Sequence, residues 1–154
     1  MNRVSRTRVA RRLPDGALDD SFDARQGPNA SVRAMALQGD RVVIGGQFTQ
    51  VAGTNRNYIA RLLSDGTLDR FFNPGGGADA PVLALAALPD GGVVVGGGFA
   101  SINGISRPGV AILNSNGTVR AETAARIPII RMTNVNLEPG STPLEEIIAD
   151  TKRG

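Results

Sequence analysis

At 154 residues and 16.0 kDa, with 41% hydrophobic residues, the chain has the size of one ordinary globular domain. It contains neither Cys nor His, which excludes disulfides, thiol nucleophiles, thiolate metal sites and every imidazole base or His-based triad. The net charge of +3 arises from 16 Arg and one Lys against 14 acids, an excess too small to predict nucleic-acid affinity without a localised patch.

In chain order, residues 1–12 carry Arg3, Arg6, Arg8, Arg11 and Arg12, but no apolar run of about 7–15 residues follows, so they do not read as a secretory signal. A strand is expected over residues 8–13, ended by Pro14-Asp15-Gly16. A hairpin follows, with Val32, Ala34 and Ala36 on one arm and Val42, Gly45 and Gly46 on the other. Residues 58–63 form the next strand, closed by Ser64-Asp65-Gly66, and a short fourth strand is expected over 67–72. Residues 82–88 and 92–95 pair about Pro89-Asp90-Gly91, where Pro presets its own φ and Gly accepts the positive one that reverses the chain. The last strand of this kind is 109–113. Apolar stretches such as 82–88 fall far short of the roughly 20 residues of a bilayer-crossing helix, so no membrane span is expected.

These elements repeat at a shift of 50 to 51 residues. Ala10-Arg11-Arg12-Leu13-Pro14-Asp15-Gly16-Ala17-Leu18-Asp19 lies over Ala60-Arg61-Leu62-Leu63-Ser64-Asp65-Gly66-Thr67-Leu68-Asp69, and Phe22 falls on Phe72. A partial third copy reads Ala111-Ile112-Leu113-Asn114-Ser115-Asn116-Gly117-Thr118-Val119. Val32, Ala34 and Ala36 match Val82, Ala84 and Ala86; after a one-residue insertion, Val42, Gly45, Gly46, Phe48 and Gly53 match Val93, Gly96, Gly97, Phe99 and Gly104. Three to four antiparallel strands in such a unit is the size of one propeller blade.

The Ala-Arg-Leu strand, Asp-Gly-Thr-Leu-Asp, Phe72, the Val-Leu-Ala-Leu run, Pro-Asp-Gly and Val-Val-Gly-Gly-x-Phe together resemble the delta-60 repeat of bacterial β-propeller proteins, over roughly residues 7–120. The resemblance implies a ring of blades in large, often surface-associated proteins without an assigned biochemical role. About two and a half units are fewer than the four to eight blades of a closed ring.

Composition changes after residue 120. All four Glu and the single Lys lie beyond it, and 18 of the 20 Gly lie before it. An extended apolar segment from Ile127 is followed by a helix signal: Thr142 as N-cap, Pro143 at the first helical position, Glu145 closing a capping box, and Leu144, Ile147, Ile148 and Thr151 on one face. Lys152 and Arg153 suit the negative end of the helix dipole, and Gly154 could terminate it. Arg131-Met132-Thr133-Asn134, Leu137-Glu138-Pro139-Gly140 and Leu144-Glu145-Glu146-Ile147-Ile148-Ala149-Asp150-Thr151-Lys152-Arg153-Gly154 resemble the carboxyl-terminal domain of the TldD/PmbA (modulator of gyrase) metallopeptidases. That family's metal site needs a His-containing motif in another domain, so the resemblance transfers no catalytic residue.

Candidate sites have structural readings beside the functional ones. Gly45-Gly46 and Gly96-Gly97-Gly98 lack the Lys-Ser or Lys-Thr of a phosphate loop and read as bulges or close backbone approaches; Gly75-Gly76-Gly77 reads as a plain loop. Asp19, Ser21 and Asp23 have the alternating oxygens of a calcium loop, but the second copy has Asp69, Phe71 and Asn73, which favours turn capping. Asp19 and Asp20, adjacent on a strand, would point to opposite faces rather than act as a catalytic pair. Arg11 coincides with Arg61, so part of the basic N-terminal cluster belongs to the repeat. Phe22, Phe72, Phe48 and Phe99 sit at matched positions and are expected in the core rather than on a base-stacking platform, with Phe71 and Tyr58 left over.

The expectation is an all-β chain: an incomplete β-propeller of about two and a half antiparallel blades with an appended C-terminal strand and short helix. Residues 1–120 hold the repeats (7–57, 58–108 and a partial 109–120), 121–126 the junction, and 127–154 the TldD/PmbA-like fragment. The expected function is a non-enzymatic repeat scaffold or interaction module, a fragment or fusion; the alternative is a truncated or mis-joined piece of a TldD/PmbA-like metallopeptidase, inactive as given. No catalytic, cofactor-binding or metal-binding residue is assigned and no cofactor is expected. The expected partner is a protein, or a second copy through open blade faces, and not nucleic acid. The repeats imply a surface or extracellular location and the tail a cytoplasmic one, so location stays open.

Overall fold

A computed structural model describes residues 7–121. The first hairpin is β1 (Val32–Gln38) with β2 (Arg41–Gly46), joined by the two residues Gly39 and Asp40. A small ribbon follows, β3 (Gln50–Val51) with β4 (Thr54–Asn55), and then β5 (Ile59–Leu62). The second copy runs in the same order: β6 (Val82–Ala87), β7 (Val93–Gly97), the ribbon β8 (Ser101–Ile102) with β9 (Ile105–Ser106), and β10 (Val110–Leu113). All pairings are antiparallel, giving sheets β1-β2-β5 and β6-β7-β10 beside the two ribbons. Each sheet therefore takes its third strand from beyond a ribbon, so β5 completes the sheet begun by β1.

The turns follow from their residues. The inserted residue of the second hairpin makes a three-residue loop, Pro89-Asp90-Gly91, with Gly91 at φ 87° and the Leu88 carbonyl accepting its N–H at 3.1 Å. Asp15-Gly16, Asp65-Gly66 and Asn116-Gly117 close three identical turns: the acid or amide side chain accepts the N–H two residues on, at 2.9 to 3.0 Å, and the glycines sit at φ 88°, 89° and 91°.

Two expected strands are shorter than the sequence suggested. Residues 8–13 make only one bridge, Arg12 with Leu18. Their counterparts in β5 are held by Val42 to Gly45 of β2, and no such hairpin precedes residues 8–13 among the described residues. Residues 67–72 likewise reduce to the bridge between Leu62 and Leu68, because the Asp69 carboxylate accepts the Phe71 N–H at 3.0 Å and turns the chain away. The strand and helix expected over 127–154 lie outside the described residues. No described helix is long and apolar enough to cross a membrane.

The two sheets stack face to face. Val43 and Ile59 of the first share one core with Val93, Val95, Ala111 and Leu113 of the second, joined by Phe72, Val82, Phe99 and Ile102. The opposite face of the first sheet, carrying Val42, Ile44, Ala60 and Leu62, packs on Val9, Phe22 and Ala24 together with Phe48 and Val51. The four matched phenylalanines are at most 4% exposed, each worth roughly 2–3 kcal/mol of apolar burial. Gly45 lets the sheets approach: a Cβ there would overlap Val82 of the neighbouring sheet. Gly46 and Gly97 each face a register shift, at Val32/Ala34 and Val82/Ala84, so the paired glycines mark bulges as well as a close approach.

Candidate functional site

The densest polar constellation lies between the sheets. β5 turns Arg61 toward the second sheet, where it is 3% exposed. Its Nε donates to Asp69 Oδ2 at 2.8 Å, and its Nη1 donates to the Ser115 carbonyl at 2.7 Å and to Gln38 Oε1 at 3.1 Å. The guanidinium also lies 4.9 Å from the Phe72 ring centroid. Asp69, itself 4% exposed, is completed by the Phe71 N–H and by Arg41 Nη1 at 3.6 Å. Such a buried pair is tolerable because the main donors and acceptors are met in one planar fork.

The same unit occurs one repeat earlier. Arg11 Nε donates to Asp19 Oδ2 at 2.8 Å, its Nη1 to the Ser64 carbonyl at 2.9 Å, and it lies 5.0 Å from the Phe22 centroid. Hydrogen bonds from Ser21, and then from Arg11, hold the Asp19 carboxyl below its ordinary range. In both copies the arginine reaches the turn of the following repeat, Asp65-Gly66 for Arg11 and Asn116-Gly117 for Arg61. Backbone bonds reinforce the joint: the Asp23 N–H donates to the Asp65 carbonyl at 2.7 Å and the Asn73 N–H to the Asn116 carbonyl at 2.8 Å. At Gly66 and Gly117 a side chain would meet that neighbouring backbone at 2.7 to 2.8 Å, so both the positive φ and the close contact require glycine there.

The residues weighed for other chemistry are placed as follows. Asp19 and Asp23 spend their Oδ1 atoms on the N–H groups of Ser21 and Arg25, and Asp69 and Asn73 do the same for Phe71 and Gly75. The capping pattern thus persists where the calcium-like spacing does not. Arg8 donates to the Pro28 carbonyl at 2.9 Å, which leaves the described part of the N-terminal arginine cluster bound to protein groups; Arg3 and Arg6 lie outside the described residues. The segment Gly75-Gly76-Gly77 is more than a plain loop. The Gly76 N–H donates to Asn103 Oδ1, its carbonyl accepts from Asn57 Nδ2, and Gly77 accepts the Asn103 N–H at 2.7 Å.

Beside Arg61 a cleft of about 560 Å³ opens between the hairpin ends, lined by Leu37, Arg41, Phe71, Leu88 and Pro89. Gln38 spans its floor, donating to the Gly91 and Gly92 carbonyls at 2.8 and 3.0 Å. Leu37 and Phe71 are 74% and 71% exposed, so the mouth offers apolar contact with one cation, Arg41, at its rim. The polar groups of the floor are already engaged with one another.

Sequence reading missed the Arg61–Asp69 unit, although the Arg, the Asp eight residues on and the Phe three further were visible in two copies. It also missed Asn29 and Asp79, matched residues whose Oδ1 atoms accept the N–H groups that open each ribbon: Thr49 and Gln50 in one copy, Ala100 and Ser101 in the other.

Residues 38–72 and 88–119 match the family model described as Domain of unknown function (DUF5122) beta-propeller. The two stretches have the same phase, each running from the end of the first strand of a sheet, β1 or β6, through the Asp-Gly or Asn-Gly turn. No curated protein and no solved structure matches the chain. With all-antiparallel sheets stacked by internal repeat and that family match over both copies, the described residues are β-propeller repeats in an array that does not close into a ring.

Proposed function

We propose that the chain is a non-enzymatic repeat module of the delta-60 kind, a scaffold or interaction unit that is a fragment or fusion and works by presenting sheet surfaces to protein partners or to further copies of itself. The observation that carries this reading is where the recurring polar residues are spent. Arg11, Asp19, Arg61 and Asp69 tie one repeat to the next, and the matched phenylalanines fill cores, so the repeated chemistry is structural. The apolar side chains left to solvent include Met35 and Leu37 on β1 and Leu83 on β6, the edge strands of the two sheets. Sedimentation velocity of the full chain should show concentration-dependent association that Leu37→Lys with Leu83→Lys weakens. A monomer at every concentration, indifferent to these substitutions, would contradict the reading.

The resemblance of residues 131–154 to the TldD/PmbA carboxyl-terminal domain supports a second reading, a mis-joined and inactive piece of such a metallopeptidase. Under either reading the purified chain should not hydrolyse peptides with added divalent metal. Chelator-sensitive hydrolysis would overturn both.

A further inference from the structure

Arg56 and Arg107 hold matched places, each between a ribbon and the strand that completes its sheet. Their side chains are set alike: Nη1 donates to the preceding carbonyl at 2.8 Å, and Nε is buried with no hydrogen-bond partner. They differ in what the outer nitrogen finds. Nη2 of Arg107 donates to the Arg120 and Ala121 carbonyls at 3.3 and 3.4 Å, which sets a guanidinium at this position against the chain just past the Leu113–Val119 bridge. In the repeat of Arg56 the same two residues are Asp69 and Arg70, just past the Leu62–Leu68 bridge. There Arg56 Nη2 makes no hydrogen bond among the described residues.

Arg70 is exposed and makes no hydrogen bond or ion pair among the described residues. Burial, and then the charge of Arg70, lower the Arg56 pKa from its ordinary value, so the two guanidinium groups stand close enough to repel each other. The nearby acid does not relieve them, because the Asp69 carboxylate is held by Arg61 and Arg41. Nor does the repeat require the pair. The position of Arg70 is Asp20 in the first copy and Ala121 in the third. Two unpaired cations brought together where an acid or an alanine serves the same fold are a local electrostatic conflict, and such conflicts concentrate where a ligand resolves them.

We propose that Arg56 and Arg70 form an oxyanion site on the β5 side of the first sheet, taking a phosphate-type dianion either free or as the end group of a larger molecule. Arg56 offers Nη2 from a side chain already anchored through Nη1, and Arg70 offers its whole planar fork. Each can give charge-assisted hydrogen bonds to the oxygens, and the two positive charges match the two negative ones of the ligand. The site belongs to one copy only, since the Ala121 position brings no second cation beside Arg107.

Calorimetric titration of the full chain with sodium phosphate, at constant ionic strength, should show saturable binding with a dissociation constant on the order of 1 mM. Arg70→Ala and Arg56→Gln should each weaken it at least about tenfold, the share of one charge-assisted contact. Arg12→Gln removes the same charge from an exposed arginine that bonds only to the Gly16 carbonyl of its own turn, and should leave the binding unchanged. Circular dichroism checks that each variant is folded; Arg70→Asp, which installs the residue of the first copy, replaces a variant that is not. Glycerol phosphate binding as tightly as inorganic phosphate assigns the site to phosphate end groups, and markedly weaker binding assigns it to the free ion. The proposal is overturned by the absence of saturable phosphate binding, by an equal loss in Arg12→Gln, or by binding of dextran sulfate alone, which would reflect the net positive charge of the chain and not a site.

Discussion

Arg61 and Arg11 occupy the same place in successive repeats and make the same three kinds of contact, but their side chains are 3% and 40% exposed. Removing Arg61 leaves Asp69 buried with its main partner gone, so Arg61→Ala should lower stability by about 3–5 kcal/mol in urea melts, and Arg11→Ala by a small fraction of that. Ala52 offers a gain instead. It sits at φ 48° at the tip of the first ribbon, where the matched residue is Asn103 at φ 51°. Ala52→Asn or Ala52→Gly should stabilise by roughly 0.5–1 kcal/mol, because the left-handed region costs an alanine about that much. The acids set the pH response. Hydrogen bonds from Thr67 to Asp65, and from the Ala100 and Ser101 N–H groups to Asp79, lower both pKa values. A lowered folded pKa gives stability that is complete above the unfolded value of about 3.9 and is lost as pH falls through the folded one. With no His in the chain, Tm should be nearly flat from about pH 5 to 8 and fall below about pH 4. Asp79→Asn should keep the neutral-pH Tm and reduce the acid loss, since Asn29 performs the same capping one repeat earlier.

At the scale of elements, the hairpins are separated by glycines with different duties. Gly45→Ala pushes a methyl group into Val82 of the facing sheet and should cost about 1–3 kcal/mol, whereas Gly98→Ala, with open space around it and no positive φ, should be close to neutral. Urea melts of the two variants check this. The hairpins and Asp-Gly turns were legible in the sequence because their determinants are local: a turn residue, a cap two residues away, and β-branched runs on either side. The ribbons were not. Asn103-Gly104 is a strong turn signal, but its arms are two residues each, and Ala52-Gly53 in the other copy hides the same turn behind an alanine. Residues 8–13 show the reverse failure. They match 58–63 closely, yet a strand exists only where a neighbour pairs with it, and sequence similarity says nothing about the neighbour. The Arg61 unit escaped for a related reason, since its partners stand at positions 38, 69 and 115 and only the stack of sheets brings them together.

For the whole molecule, the first sheet is the shared wall of both cores: Val42, Ile44, Ala60 and Leu62 face one way, Val43 and Ile59 the other. It cannot unfold without opening both, whereas the second sheet contributes to only one of these two cores, its other face, with Val94 and Ile112, being buried as well. Cooperativity therefore depends on the joint between the sheets, where Gly45 permits contact and Arg61 crosses to Ser115. The chain has one Tyr and no Trp, and Tyr58 packs against that shared core, so its fluorescence reports the joint while far-UV circular dichroism reports all the strands. In wild type the two urea transitions should coincide. In Arg61→Ala the fluorescence transition should move to lower urea than the dichroism transition, as the joint opens before the first sheet and its N-terminal packing are lost. If the two signals stay coincident in that variant while both shift, the N-terminal core depends on the joint as strongly as the second sheet does, and the array behaves as one unit rather than as neighbours coupled in a line.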